Sequence, residues 1–510
     1  MFAKIGRRIV QGGSFSHYRS ANSCPIFVCY SSAASNVGCV SLDASVKVGG
    51  KSYQPSRKRD HPWKHSDRLS SRNNLNENSC AFFSSSRDFN TIAATASSNN
   101  DYLKFHASSL GLESRLIRPV LSSIRQLPEV ETVLNNKEMF ASHSTLENLN
   151  RASQIFSSFQ NGGREHMAIQ SLIAECQQRM GSYMEVLQTL EELQSSANQE
   201  ALPPHFQYDI LLAKAKVNWN NGDFAESQRL CESMIAMYDD FEETFPATNL
   251  HMASAMTGKA LSQLAAMKNL EDAYSVRDYF QISVKFLERH PPTANTLPQA
   301  VVMLNSGIAE AIYNMFLEET NNVSVPMDAA LRSWFQGLQK VDVHKNSNFL
   351  ENAASQYLQA NIQSNLAWGV LNYEQDRTDY LLKASDYAKK ALSVYDDQNG
   401  ALGKEGLSHV LTVVASCYFK AESAVTAEGL FQSAIDRKGN EPSGTGKLLQ
   451  LKEAYHQYAS LCRQWEKREG DAKRLEKESQ TIDESLPPGW QSKSGMYGNL
   501  WFWTPGEMVP

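Results

Sequence analysis

The strongest constraint on how this chain can fold is a spacing of small and apolar residues that recurs along it. Three segments, which begin at Ala174, Ala215 and Ala415, place such residues at successive intervals of 12, 4 and 3 positions. A fourth segment, which ends at Ala391, repeats only the intervals of 4 and 3. The spacing predicts two antiparallel helices that are joined by a tight turn and cross closely where their side chains are small.

The residues assigned to this packing include small, glycine and aromatic positions. Gly181 and Gly222 follow the first helix of their pairs, where glycine can adopt the left-handed conformation that ends a helix. Tyr183 and Phe224, two residues later, would fill the wedge between the paired helices. The predicted packing residues are Ala174, Gly181, Tyr183, Ala215, Gly222, Phe224, Ser227, Ala384, Ala391, Ala415, Tyr418, Ala427, Phe431 and Ala434.

At these positions the chain resembles the tetratricopeptide repeat family. The segment Ala213–Met234 fits the family's pattern, and the best single match is formed by Leu411, Val414, Ala415, Tyr418, Ala427, Phe431 and Ala434. The resemblance covers about residues 165–240 and 355–480, and it implies an all-α solenoid of helical hairpins. The first two copies lie further apart than the family's usual repeat of about 34 residues, so we expect extended helices or long loops. A helical solenoid of another type is the alternative.

Composition divides the chain into four parts. Residues 1–100 contain thirteen basic and five acidic residues, whereas residues 101–510 contain 36 basic and 50 acidic residues. Residues 1–100 are also polar and rich in serine. Such a composition cannot bury enough apolar surface to fold. We expect a disordered targeting region, a helical lead-in, a tetratricopeptide-like repeat domain and an aromatic tail, at residues 1–100, 101–142, 143–485 and 486–510 respectively.

The N-terminus has the features of an organelle transit peptide. The first acidic residue is Asp43, and Lys4, Arg7 and Arg8 precede it on one side of a predicted short helix. A positive amphipathic helix followed by a Ser-rich, acid-poor stretch is typical of mitochondrial import signals. We therefore expect a mitochondrial protein, with the matrix favoured. A plastid address, or a basic disordered segment with no address, is the alternative.

The start of the repeat domain carries a capping signal. Ser144 and Glu147 fit a capping box, in which Ser144 is the N-cap and an apolar stripe begins at Leu146. No stretch of the chain alternates between apolar and polar residues for long enough to support a sheet. The sequence therefore predicts an all-α fold.

The sequence contains no constellation that would carry catalysis or hold a cofactor. Residues 441–448 imitate a phosphate-binding loop, but that motif needs glycine in place of Glu441 and a hydroxyl side chain in place of Leu448. We interpret the segment as a link between two helices. The twelve histidines form no ligand cluster and no Cys-x-x-Cys is present, which disfavours a metal site. We expect no catalytic residue, metal or cofactor; an enzyme of unrecognised helical fold is the alternative.

The expected partner is a protein. The family resemblance implies a concave groove that holds a partner's extended peptide or helix, and Lys214 and Asn218 are the candidate groove residues. The favoured function is a non-enzymatic protein-binding scaffold or assembly adaptor. RNA binding in organelle gene expression is the alternative, but it needs a basic surface, and residues 101–510 are acidic on balance. We expect no membrane span, since no run of eighteen apolar residues occurs, and the sequence leaves the oligomeric state open.

The C-terminal tail is unusually aromatic. Five aromatic residues lie between Trp490 and Trp503, and burying each would contribute on the order of 1.5–3 kcal/mol. We expect the tail to turn at Pro487 and Pro488 and to fold back onto the last repeats. There it would act as a hydrophobic cap or, as the alternative, as a lid along the groove.

Overall fold

The computed structural model describes part of the chain. The described residues are 110, 112, 116–117, 120–135, 142–159, 163–199, 204–238, 248–267, 270–288, 296–321, 327–346, 353–373, 379–396, 407–436, 444–465 and 467–508. The expected targeting region at residues 1–100 lies outside them, and so does half of the expected lead-in.

The described residues are helical and contain no strand, so the all-α expectation is confirmed. Two short 3-10 helices, Pro488–Trp490 and Gly495–Asn499, interrupt the tail. The α-helices are α1 (Leu121–Ile124), α2 (Pro128–Asn135), α3 (His143–Phe159), α4 (Arg164–Met180), α5 (Tyr183–Gln199), α6 (Pro204–Asn220), α7 (Phe224–Tyr238), α8 (Thr248–Ala266), α9 (Leu270–Glu288), α10 (Thr296–Asn321), α11 (Asp328–Asn346), α12 (Ala353–Tyr373), α13 (Tyr380–Asp396), α14 (Leu407–Lys420), α15 (Ala424–Asp436), α16 (Thr445–Cys462), α17 (Glu469–Ser485) and α18 (Pro505–Met508).

Helices α4–α17 pack in adjacent pairs, each pair consisting of an even-numbered helix and the odd-numbered helix that follows it. The even-numbered helices from α6 to α16 also contact one another in order, so they form one continuous layer. The largest apolar core extends along this layer from α6 to α12 and includes side chains of α16 and of the tail.

The predicted packing residues lie where the pairs meet. Ala415 and Ala427 are fully buried in one apolar cluster shared by α14–α17. Ser227 is also fully buried, and its hydroxyl accepts a hydrogen bond of 2.9 Å from Ser262 on the next pair. The two turn glycines and Tyr418 are half-buried, and the other predicted packing residues are buried.

Three pairs share one type of tight turn. Gly181 and Gly222 have φ angles of 77° and 80°, as the expected left-handed helix end requires. In the first of these turns, the N–H of Ser182 donates to the carbonyl of Gln177 at 3.0 Å. The third turn places Glu422 at the same position with a φ of 58°, a conformation that is unfavourable for a residue with a Cβ atom.

The expected N-cap of α3 is wrong by two residues. The helix begins at His143, and the N–H of Thr145 donates to the hydroxyl of Ser142 at 3.2 Å. Ser144 therefore lies inside the first turn. Both serines precede the apolar stripe, and the earlier one caps the helix because its hydroxyl reaches the N–H three residues later.

The last helix pair, α16–α17, contacts the first two pairs, α4–α5 and α6–α7. Thr445 begins α16, and its hydroxyl donates to the carbonyl of Asn220 at the end of α6, at 2.8 Å. The hydroxyl of Tyr183, at the start of α5, lies 2.9 Å from the Thr445 hydroxyl and accepts the Thr445 N–H at 3.3 Å. The described part of the segment that imitates a phosphate-binding loop therefore joins the two ends of the helical array.

Candidate functional site

The tail, residues Leu486–Met508, lies along the layer of even-numbered helices. It contacts α6, α8, α10, α12 and α16, and we call the surface of these helices that contacts the tail the even face. The tail therefore folds back, as expected, but it reaches far beyond the last repeats. Its buried apolar side chains are Leu486, Trp490, Met496, Tyr497, Leu500, Phe502 and Trp503.

The first part of the tail inserts Trp490 between α6 and α7. The Trp490 side chain is 1% exposed, and its ring meets those of Trp219 and Phe224 edge-on at centroid distances of 4.8 and 4.9 Å. Its indole N–H donates to the carbonyls of Trp219 and Asn220 at 2.9 and 3.1 Å. Trp490 thus satisfies carbonyls at the end of α6 that have no partner within that helix.

Asn305 of α10 binds both backbone groups of one tail residue. Its side-chain NH₂ donates to the carbonyl of Trp501 at 2.8 Å, and its side-chain oxygen accepts the Trp501 N–H at 2.9 Å. The Trp501 ring meets Tyr357 of α12 edge-on at 5.4 Å. An amide side chain that pairs with the N–H and the carbonyl of one residue holds the backbone there without contacting that residue's side chain.

Three further amide side chains hold the tail at Gly498 and Asn499. Gln450 of α16 donates to the Gly498 carbonyl at 3.1 Å and to the Asn499 side-chain oxygen at 2.8 Å. Asn361 of α12 donates to the Asn499 carbonyl at 3.5 Å, and Asn365 accepts from the Asn499 side chain at 3.2 Å. These two residues end the 3-10 helix Gly495–Asn499, and their carbonyls need these partners to be buried without loss of stability.

The even face has a pocket for Phe502 on α8. Gly258 forms its floor, since a Cβ atom at this position would lie 2.4 Å from the Phe502 ring and 2.9 Å from the sulfur of Cys231. The neighbouring Ser254 hydroxyl donates to the Trp503 carbonyl at 2.6 Å. Glycine in the middle of a helix is unfavourable, and here it leaves room for an aromatic ring.

The end of the tail is held by a buried ion pair between Lys216 of α6 and Glu507. The two side chains are only 9% and 8% exposed. The other carboxylate oxygen of Glu507 accepts the N–H of Thr504 at 2.7 Å. Burial raises the pKa of Glu507, and the Lys216 ammonium opposes that rise.

The two candidate groove residues lie on either side of Lys216 on α6. Lys214 donates to Gln194 of α5 at 2.9 Å, and burial lowers its pKa. Asn218 is buried, and its side chain donates to the Lys214 carbonyl at 2.9 Å. The hydrogen bonds of these two residues therefore join α6 to the preceding pair and to itself, whereas Lys216 binds the tail.

Sequence reasoning did not identify the amide side chains that hold the tail. Asn305, Asn361 and Gln450 are buried polar residues among apolar ones on even-numbered helices. A buried amide needs a hydrogen-bond partner, so amides inside an apolar helix stripe are the signal that would have found them.

Within the described ranges, no group of three or more His, Cys, Asp or Glu residues is placed to hold a metal ion. The four described cysteines are buried as free thiols. One stretch, Thr296–Glu318 of α10, is long and apolar enough to cross a membrane, but 61% of its most apolar window is buried inside the structure. A core helix passes the same test, so this is weak evidence for a span.

No protein-family model matches this chain, and no curated protein is significantly similar to it.

Proposed function

We propose that this protein is a non-enzymatic protein-binding scaffold or assembly adaptor, built as a tetratricopeptide-like solenoid. Its binding surface is the even face, and its ligands are peptide segments. The observation that carries the proposal is the way Asn305, Gln450 and Ser254 bind backbone groups along residues 498–503 of the tail.

Two features support the repeat type. The turns at Gly181 and Gly222 share their backbone conformation, and the small residues spaced by 12 positions are buried where paired helices meet. In a tetratricopeptide solenoid the first helix of each pair lines the concave surface. The even-numbered helices are the first helices of their pairs, and they hold the tail.

The partner class is tested by affinity purification from isolated organelles, with and without nuclease treatment. A protein scaffold retains a defined set of proteins after nuclease treatment. Copurification that is lost with the RNA would support the alternative, an RNA-binding solenoid. The variant Asn305→Ala tests whether partners use the even face. It should lose the partners that dock there and keep those that bind elsewhere.

We also propose a mitochondrial address, because residues 1–42 contain no acidic residue. A fluorescent protein fused behind residues 1–100 should enter mitochondria, since the membrane potential pulls positive charge inward. The fusion with Arg7→Glu and Arg8→Glu should remain outside. Import of both fusions, or of neither, would contradict this assignment, and plastid import would support the alternative address.

A further inference from the structure

The tail has two differently held parts, separated by a short hinge. The anchor, Leu486–Trp490, is fixed between α6 and α7 by the Trp490 contacts. The strip, Gly495–Met508, lies along the even face. The hinge, Gln491–Ser494, joins them, and its first two residues are exposed.

The hinge is strained, and it is held by hydrogen bonds to Asp483 and Lys452. Ser492 has a φ of 64°, a left-handed conformation that is unfavourable for serine. Its N–H donates to both carboxylate oxygens of Asp483, at 2.9 and 3.2 Å. Asp483 also pairs with Lys452, which donates to the Lys493 carbonyl at 3.0 Å. The strain persists only while these contacts hold, so the chain can change direction here if they open.

The strip is recognised in the manner of a bound peptide. Most of its polar contacts go to backbone groups, which are common to all peptide segments. Side chains add specificity: Asn499 bonds with Gln450 and Asn365, Phe502 fills the pocket above Gly258, and Glu507 pairs with Lys216. These features describe a ligand with an aromatic side chain and, five residues later, a carboxylate.

We propose that the strip is a built-in ligand of the even face, and that a partner protein replaces it with a segment carrying an aromatic residue at the place of Phe502 and a carboxylate at the place of Glu507. This inference rests on the proposed scaffold function and adds the chemistry of the partner. The anchor stays bound and keeps the tail attached at α6.

In this proposal the partner's segment takes the place of the strip, so the even face is not left uncovered. Trp219, Leu261 and Leu304 belong to the same buried cluster as the strip, and removing the strip alone would expose a large apolar patch. A tethered segment also competes at an effective concentration on the order of millimolar. A partner segment in trans therefore binds weakly until the strip is detached or the partner is locally concentrated.

The test uses the full chain with a specific protease site inserted between Gln491 and Ser492. After cleavage, a fluorescent peptide of residues 493–508 is added and its anisotropy is followed. We expect the cleaved chain to take up the peptide, and the uncut chain to bind it roughly a hundredfold more weakly because its strip is tethered. A Phe502→Ala peptide should bind roughly a hundredfold more weakly, and a Glu507→Gln peptide about tenfold more weakly.

Acceptor variants localise the binding. Gly258→Ala in the cleaved chain places a methyl group in the Phe502 pocket and should lower peptide affinity. The matched control is Gly429→Ala on α15, where an added Cβ has no atom within 4 Å, and it should bind like the parent. Equal binding by the cut and uncut chains would place the peptide on another surface and overturn the proposal.

Three other results would also overturn it. A cleaved chain that stays folded but takes up no peptide would make the strip a permanent part of the core. If cleavage unfolds the chain, hydrogen exchange is measured on the uncut chain instead. The amides of the strip must then exchange faster than those of α8, and equal protection of the two contradicts displacement of the strip. Dimers of the uncut chain with swapped strips would assign the site to a second copy. Failure of the organelle purification contradicts the scaffold function and leaves the peptide measurement unaffected.

Discussion

At the scale of single residues, one of the three tight turns departs from the glycine pattern of the other two, and its backbone is strained. Glu422 stands where the other two turns have glycine, and its φ is 58°. A side chain in this conformation costs roughly 1–2 kcal/mol. We expect Glu422→Gly to raise the free energy of unfolding by about 1 kcal/mol, measured by urea denaturation. Glu422→Ala, which removes the charge but keeps a Cβ atom, should change stability little; an equal gain in both variants would point to charge instead of backbone strain.

A second residue makes stability depend on pH. Burial lowers the pKa of His409 from 6.5 to about 4, and its Nε2 has no hydrogen-bond partner within the described part of the chain. The folded state binds the proton less well than the unfolded state, so stability is lost as pH falls below 6.5. Between pH 7 and 5 we expect the parent to lose up to about 2 kcal/mol relative to His409→Leu. The exposed His456→Leu serves as the control, and identical pH profiles for parent and His409→Leu would contradict this account.

At the scale of elements, small side chains determine how closely the helices of a pair approach. Ala415 and Ala427 are fully buried in one cluster between α14 and α15. We expect Ala427→Leu to overpack this contact and lower the free energy of unfolding by roughly 1–3 kcal/mol, visible as a lower melting temperature. The control on the same helix is Val425→Leu, since Val425 is 81% exposed. An unchanged melting temperature for Ala427→Leu would contradict the assigned register.

Helices and pairs were predictable because their signals are local. Gly181 and Gly222 follow their helices directly, and the small residues that pack against each other are 12 positions apart. The even face has no such signal, since Trp490 and Trp219 are 271 residues apart in sequence. Aromatic content indicated that the tail is buried, but nothing local indicates which helices bury it. The N-cap at Ser142 was missed because two serines with similar propensity lie two residues apart.

Across the described helices as a whole, the contacts of α16 with α5 and α6 make the stability of one end of the array depend on the other. In an open repeat array each repeat contacts only its neighbours, and the ends unfold independently. Here Thr445 and Trp490 bind the first pairs, while the strip crosses several even-numbered helices. Loss of one end therefore removes contacts from the other, and the described helices should unfold together.

The bond between Tyr183 and Thr445 tests this coupling directly. Tyr183→Phe removes the acceptor of the Thr445 N–H, and leaving a buried donor unpaired costs about 1–3 kcal/mol. In a double-mutant cycle with Thr445→Ala, we expect a coupling energy of about 1 kcal/mol, because both changes remove the one bond between the Tyr183 and Thr445 hydroxyls. Hydrogen exchange should show faster opening of both α5 and α16 in Tyr183→Phe, with the described helices still melting in one transition. A coupling energy near zero, or separate melting of the α14–α17 helices, would show that the two ends of the array do not hold each other.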